Sequence, residues 1–281
     1  KDKTKNMNNL EAYKMDGLGN DFIIFDNRKK SIFLTKNQII KISDRNNIGC
    51  DQVIFIDQDK NHDAFLKFYN SDGGEISACG NGSRCAAYFL MKENNQKKIS
   101  LKTNAGILQG KLNDKNLVSI NIGQPNFEWN KIPLIKKMNN KNQEIKINSI
   151  DGKEIKGGFS LSVGNPHVVF FVEDLNKFDL EKIGPKIESH SYFPEKCNVS
   201  LASVKNKKHV KVKVWERGAG LTKACGTAAC ATAVSGSILQ FNERCVDIEF
   251  SEGLLNIDWK KDNNIYMTGK VSGIEKIEVS I

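Results

Sequence analysis

The sequence predicts an α+β protein written twice, as two similar halves of mixed β-sheet, each with a helix that opens directly after a cysteine. Three observations carry this reading. Ala78-Cys79-Gly80-Asn81-Gly82 returns as Ala224-Cys225-Gly226-Thr227-Ala228, with the cysteines 146 residues apart (225 − 79). The same offset sets Gly74 against Gly220, Ala87 against Ala233 and Asn70 against Glu216, while an offset of 145 sets Gly19-Asn20 against Gly164-Asn165. Finally, in each half short apolar runs lead into a Gly-rich loop and then a helix-forming segment.

In the first half, residues 22–25, 53–56 and 65–69 are apolar runs of strand length. A Gly-rich loop at 71–77 interrupts the pattern and a helix follows over 81–91. Strands are predicted again at 99–103, 106–112 and 117–122, and Gly123-Gln124-Pro125 reads as the linker. The second half repeats the order: strands at 161–163, 168–172, 199–204 and 210–215, a loop at 217–223, and a helix from about 227 to 239. Strands at 246–250, 254–259 and 265–268 close it.

The composition fits a globular chain. Of 281 residues 27% are charged and 39% hydrophobic, with five prolines, which excludes disorder, collagen and coiled coil. No stretch approaches the ~20 apolar residues of a membrane span; residues 224–239 come nearest but are rich in Gly, Ser and Thr. The basic, polar opening at 1–9 carries no secretory signal, so a soluble, cytoplasmic protein is expected. The net charge of +9 sits in Asn-mixed lysine tracts at 92–98, 136–146 and 205–208, without interleaved aromatics. These read as solvated loops, and no nucleic-acid or membrane partner is expected. Seven cysteines, an odd number without a Cys-x-x-Cys, point to free thiols rather than a zinc site or disulfide framework.

Two of those thiols ask for more. A cysteine at a helix mouth meets unpaired backbone N–H groups and the positive end of the helix dipole. Both favour thiolate, so the pKa of Cys79 and of Cys225 is expected to fall from the free value of ~8.5 towards neutrality. The same N–H groups can hold a carboxylate. Two such elements facing one cleft would flank a carboxylate-bearing carbon with a thiol on each side. That arrangement suits inversion of a stereocentre: one thiolate takes the α-proton and the opposite thiol delivers another. Cys85 and Cys230 fall inside the helices and read as packing residues, while Cys50, Cys197 and Cys245 show no partner pattern.

The motifs resemble those of the diaminopimelate epimerase family nearly end to end. They run in order from Met15-Asp16-Gly17-Leu18-Gly19-Asn20-Asp21-Phe22, through Gly49-Cys50-Asp51-Gln52, to Asn70 with Ala78-Cys79-Gly80-Asn81-Gly82-Ser83-Arg84-Cys85. Gly164-Asn165-Pro166-His167, Cys197-Asn198-Val199, Glu216-Arg217-Gly218-Ala219-Gly220 and Ala224-Cys225-Gly226-Thr227 follow. The resemblance implies a cofactor-independent epimerase of lysine and peptidoglycan-precursor biosynthesis, interconverting L,L- and meso-diaminopimelate, with a homodimer as the assembly. It implies two domains, each a mixed sheet wrapped about a central helix: residues 1–126, joined by a returning strand at 271–281, and residues 127–270.

It also implies roles. Cys79 and Cys225 would be the acid–base pair, and backbone N–H groups of Gly80, Asn81, Gly226 and Thr227 would hold the reacting carboxylate. Asn20, Gln52, Asn70, Asn165, Asn198 and Arg217 would bind the distal end, with Glu216 and His167 near the reacting amine. Taken alone, Asn165 before a proline reads equally as a turn residue, His167 as a core histidine and Glu216–Arg217 as a surface ion pair. The sequence departs from the family at Leu221, where Glu is usual, at Ala228 for Gly and at Gly74 for Ser.

Two other readings differ in substrate or class. Proline and hydroxyproline racemases share the cysteine pair, but their substrate has no distal charged group to need Arg217 and the asparagines. A thiol-redox or metal-binding protein would use Cys79 with Cys85 and Cys225 with Cys230, spacings that do not share a helix face. No Gly-x-Gly-x-x-Gly after a strand, Walker loop or Schiff-base lysine context is present, so no cofactor is expected.

Overall fold

A computed structural model describes residues 9–281. Apart from Asn9, the polar opening read above as lacking a signal lies outside the described residues. The chain divides into two compact units, one running to Ile120 and taking back Lys270–Ile281, the other Asn121–Gly269.

The first unit contains β1 (Asn9–Gly17), β2 (Asn20–Asp26), α1 (Lys36–Ser43), β3 (Gln52–Asp57), β4 (Ala64–Asn70), β5 (Glu75–Ile76), α2 (Gly80–Glu93), β6 (Lys98–Thr103), β7 (Gly106–Asp114) and most of β8 (Leu117–Gly123). β1 and β2 pair antiparallel, β2 and β3 parallel across α1, β3 and β4 antiparallel. β4 then pairs parallel with β6 across α2, and β6 antiparallel with β7. The apolar run Phe22–Phe25 is buried throughout because the sheet is covered on both faces. Ile23, Phe25, Val53 and Phe55 join Ile39 and Ile42 of α1 in one core cluster. A Cβ on Gly82 of α2 would meet Phe22, Ile54 and Phe68, the alternate residues of the same strands.

The second unit repeats this connectivity. It comprises a hairpin of β9 (Ile145–Asn148) and β10 (Glu154–Gly157), then β11 (Phe159–Ser162), β12 (Pro166–Phe171), α3 (Leu180–Glu188), β13 (Asn198–Asn206), β14 (His209–Glu216), β15 (Gly220–Thr222), α4 (Gly226–Ile238), β16 (Cys245–Phe250), β17 (Gly253–Trp259) and β18 (Ile265–Lys270). β11–β12 is antiparallel, β12–β13 parallel across α3, β13–β14 antiparallel, β14–β16 parallel across α4, and β16–β17 antiparallel. A helix buried all round needs an apolar surface on every side. In α4 the run Ala228–Gly236 is entirely buried, and in α2 all residues from Asn81 to Met91 except Tyr88 are. The expected architecture, a mixed sheet wrapped about a central helix, is therefore found in each unit.

The final strand, β19 (Glu275–Ser280), belongs to the first unit and pairs antiparallel with β1, Asn9 opposite Ser280. β1, α1, α3 and the β9–β10 hairpin lay outside the sequence reading, and the short β5 and β15 fall in segments read as loops. β1 has only Ala12, Met15 and Gly17 buried and takes its order from pairing on both sides, by β2 and β19. α1 is short, and its signal was the capping box of Thr35 and Gln38. α3 carries Pro185 inside it, which argues against a helix from sequence alone. The β9–β10 hairpin is four residues a side, within a polar stretch. α3 lies against Trp215 because Gly184 has no Cβ; one there would stand 2.6 Å from the indole ring.

Candidate active site

In both units the cysteine is the N-cap of the central helix, with extended backbone (φ −143° at Cys79, −145° at Cys225). The N–H groups of Gly80 and Asn81, and of Gly226 and Thr227, are the first of each helix and have no intrahelical acceptor. The turn before β2 and the turn before β12 each place a glycine in the left-handed region, Gly19 at φ 80° and Gly164 at φ 101°, and an asparagine follows in each. That is the physical content of the repeated Gly-Asn.

In the first unit the asparagines are tied to the helix mouth. Asn81, buried, donates from Nδ2 to Asn20 Oδ1 at 2.6 Å and accepts from Arg84 Nη2 at 2.7 Å. Asn20 donates in turn to Asp51 Oδ2 at 3.1 Å. Arg45 grips Asp21 with both terminal nitrogens (2.6 and 2.7 Å) and reaches Asp51 at 2.8 Å. Burial pushes the Asp21 carboxyl up, but the hydrogen bonds and charge of Arg45 outweigh it and hold it below the usual carboxylate value. Gln52 and Asn70 are opposite one another on β3 and β4, and Gln52 Nε2 donates to Asn70 Oδ1 at 3.0 Å. Cys79 Sγ accepts from the Gly82 N–H at 3.4 Å.

In the second unit His167 and Asn198 are register partners on β12 and β13. Asn198 Oδ1 accepts the Arg217 backbone N–H at 2.8 Å, and Arg217 Nη1 donates to the Glu195 carbonyl at 3.0 Å. Glu188 of α3 accepts from Trp215 Nε1 and from the Gly218 N–H, fixing the loop that carries Arg217. His167 Nε2 lies 2.8 Å from Asn165 Oδ1 and 3.1 Å from Thr227 Oγ1, which lies 3.5 Å from Cys225 Sγ. Glu216 also hydrogen-bonds Cys225.

The expected fall in pKa does not hold at Cys225. Burial, then the charge and hydrogen bond of Glu216, push its thiol well above the ordinary value, against the pull of Thr227 and the Ala228 N–H. Only 7% of Cys225 is exposed, and desolvation penalises the charged form more than the helix mouth favours it. Burial raises Glu216 as well. Cys225 is thus a protonated thiol at neutral pH, the form that donates. Cys85 and Cys230 are wholly buried on their helices, Cys50 and Cys197 are buried, and Cys245 is exposed.

Sequence reasoning did not single out Asp21, Arg45, Arg84 or Glu188, which hold the predicted residues in place. Arg84 was accessible, standing one helical turn from Asn81; the other three act through tertiary contacts.

His167 is fully buried, and burial, then the charge of Arg217, lowers its pKa from 6.5 to about 3. An unfolded chain binds this proton below pH 6.5 while the folded one refuses it until about pH 3. Stability from this group is therefore present above pH 6.5 and lost as pH falls towards 3, by on the order of a few kcal/mol. Urea unfolding across pH 7 to 4 should show a steeper acid loss in the native protein than in His167→Gln. Parallel slopes would mean that His167 accepts its proton in the folded state.

The duplicated sheet-and-helix unit recurs in solved structures of several activities. Similar folds are found in the hydroxyproline epimerase from Agrobacterium vitis (TM-score 0.66, 10% identity, 97% of this chain and 93% of that one). The PhzF-family phenazine biosynthesis protein of Bacillus anthracis is a second (0.67, 15%, 98% and 100%); at these identities the likeness is one of fold. A family model described as diaminopimelate epimerase matches residues 12–128 and 159–274. The diaminopimelate epimerase of Pelagibacter ubique (strain HTCC1062) is 53% identical over 97% of this chain and 99% of its own. That of Caulobacter sp. (strain K31) is 41% identical over 92% and 93%. The chain belongs to the diaminopimelate epimerase family.

Proposed function

We propose that this chain interconverts L,L- and meso-diaminopimelate without a cofactor, as a step of lysine and peptidoglycan-precursor biosynthesis. The observation that carries the reading is the pair of cysteines, each capping the central helix of its unit, in a chain 53% identical to a named relative. Inversion needs one acid–base group on each face of the carbon, and the reading assigns Cys79 to one and Cys225 to the other. The protonated state of Cys225 supplies the acid and Cys79 takes the part of the base, and the reverse reaction exchanges them. Charge developing in the substrate carboxylate would be met by the N–H groups of Gly80, Asn81, Gly226 and Thr227. Arg217, with Asn20, Gln52, Asn70, Asn165 and Asn198, would take the distal amino acid group, and Glu216 and His167 the reacting end. The catalytic halves are residues 1–126 with 271–281, and 127–270. A homodimer in the cytoplasm goes with this reading; no described helix is long and apolar enough to cross a membrane.

The test is incubation of L,L-diaminopimelate with the protein in deuterated water. Meso product carrying deuterium at the inverted α-carbon is expected. Absence of the meso form would end the reading, and meso product with only the original hydrogen would end the two-base scheme.

A further inference from the structure

Cys225 sits between two opposed groups. On one side, Glu216 at the end of β14 accepts from it and raises its pKa. On the other is the Thr227 hydroxyl, 3.5 Å from the sulfur. What the hydroxyl does depends on where its single proton points, and the neighbours decide that. Asn165 Oδ1 can only accept, so His167 Nε2, 2.8 Å away, carries a proton. His167 is neutral, so Nδ1, buried and without a hydrogen-bond partner, is then the unprotonated nitrogen. Asn165 Nδ2 donates to Thr227 Oγ1 at 3.3 Å, and His167 Nε2 also approaches that oxygen, at 3.1 Å. Asn165 offers a hydrogen to Oγ1, and Nε2, whose one hydrogen is spent on Asn165 Oδ1, has no free lone pair to take the hydroxyl proton. The hydroxyl proton is left for the sulfur.

We propose that Thr227 is a positioning residue whose hydroxyl, oriented by Asn165 and His167, donates to Cys225 Sγ and stabilises its thiolate. This goes beyond the carboxylate contact assigned to the Thr227 backbone N–H, and it rests on the reading of Cys225 as an acid–base thiol. The two act at different times. The amide serves the substrate throughout, whereas the hydroxyl matters when Cys225 has given up its proton. Without it a buried sulfur beside Glu216 would lose one of the two groups, Thr227 and the Ala228 N–H, that offset burial and the Glu216 carboxylate. The groups facing Cys225 are then Glu216 from β14, Thr227 and Ala228 from α4, and His167 of β12 one bond removed, with Arg217 acting on His167.

The experiment measures thiolate reactivity rather than turnover. The native protein, Thr227→Val, Thr227→Ser and Thr227→Ala are treated at one neutral pH with methyl methanethiosulfonate, a small uncharged reagent, and the modified cysteines are followed by peptide mapping. Below the thiol pKa the rate follows the thiolate fraction, and loss of a hydrogen bond to the charged sulfur should lower it roughly tenfold or more. Thr227 is only partly buried, so valine fits in its place. The expected result is that Cys225 slows at least about tenfold in Thr227→Val and Thr227→Ala, stays within about threefold of native in Thr227→Ser, and that exposed Cys245 is unchanged throughout. Native-like rates at Cys225 in either hydroxyl-free variant would overturn the proposal. So would a Thr227→Ser variant as slow as Thr227→Val, since the loss would then follow from shape. No diaminopimelate is present, so a protein inactive on that substrate would still give one answer or the other.

Discussion

Cys79→Ser and Cys225→Ser each lower epimerisation of diaminopimelate by at least about a thousandfold, the scale of a lost general acid or base. A serine hydroxyl neither ionises to take the α-proton nor is regenerated as a matched acid. The losses should not add. In the double variant activity is little lower than in either single one, because the two groups work as a unit and half of it inverts nothing. Product formation from L,L-diaminopimelate measures the effect, and thermal unfolding midpoints near the native value show that the fold is intact. A single variant that kept a tenth of native activity would remove its cysteine from the scheme. Cys85→Ala serves as contrast: Cys85 is wholly buried in α2, and burial pushes its thiol far up, so the change lowers stability and spares the chemistry.

Arg217→Ala should lower kcat/KM by roughly two orders of magnitude or more. Its side chain is exposed, and Nη1 engages the Glu195 carbonyl, which occupies one of five guanidinium donors. The remaining fork suits a carboxylate. Arg217→Lys keeps the charge but not the fork and should recover only part of the loss. The selective measurement is a substrate without the distal carboxylate. If Arg217 binds that group, native protein and Arg217→Ala handle the shortened substrate almost alike; equal losses on both substrates would assign Arg217 to the loop and not to the ligand.

The repeat is why so much of this was legible. Residues that share a place in the two halves share it in the structure: Cys79 and Cys225 as N-caps, Asn20 and Asn165 after left-handed glycines, Asn70 and Glu216 ending the strands that precede the helices. Strand register brings distant positions together, as with Gln52 opposite Asn70 and His167 opposite Asn198, and equal spacing in the two halves reports it indirectly. What could not be read depends on what lies behind a residue. A helix mouth lowers a thiol pKa in general; that Cys225 is desolvated and backed by Glu216 is a tertiary fact. The grip of Arg45 on Asp21 and Asp51 joins a helix end to two strands with no periodic signature. β1 has too little apolar alternation to announce itself.

The pairing of β1 with β19 bears on the order in which the chain acquires its structure. Domains usually form as they leave the ribosome, the earlier one first. Here the first strand waits for a partner more than two hundred and fifty positions downstream, Asn9 meeting Ser280. Every residue of Asn121–Gly269 is synthesised before that partner exists. The later unit is therefore the one that can finish its sheet first. Through that interval the outer side of β1 is an open edge, able to pair with any extended segment nearby. Emergence of Glu275–Ser280 closes it, so a nascent chain stalled short of Glu275 would carry a completed second half and a first half still seeking this strand.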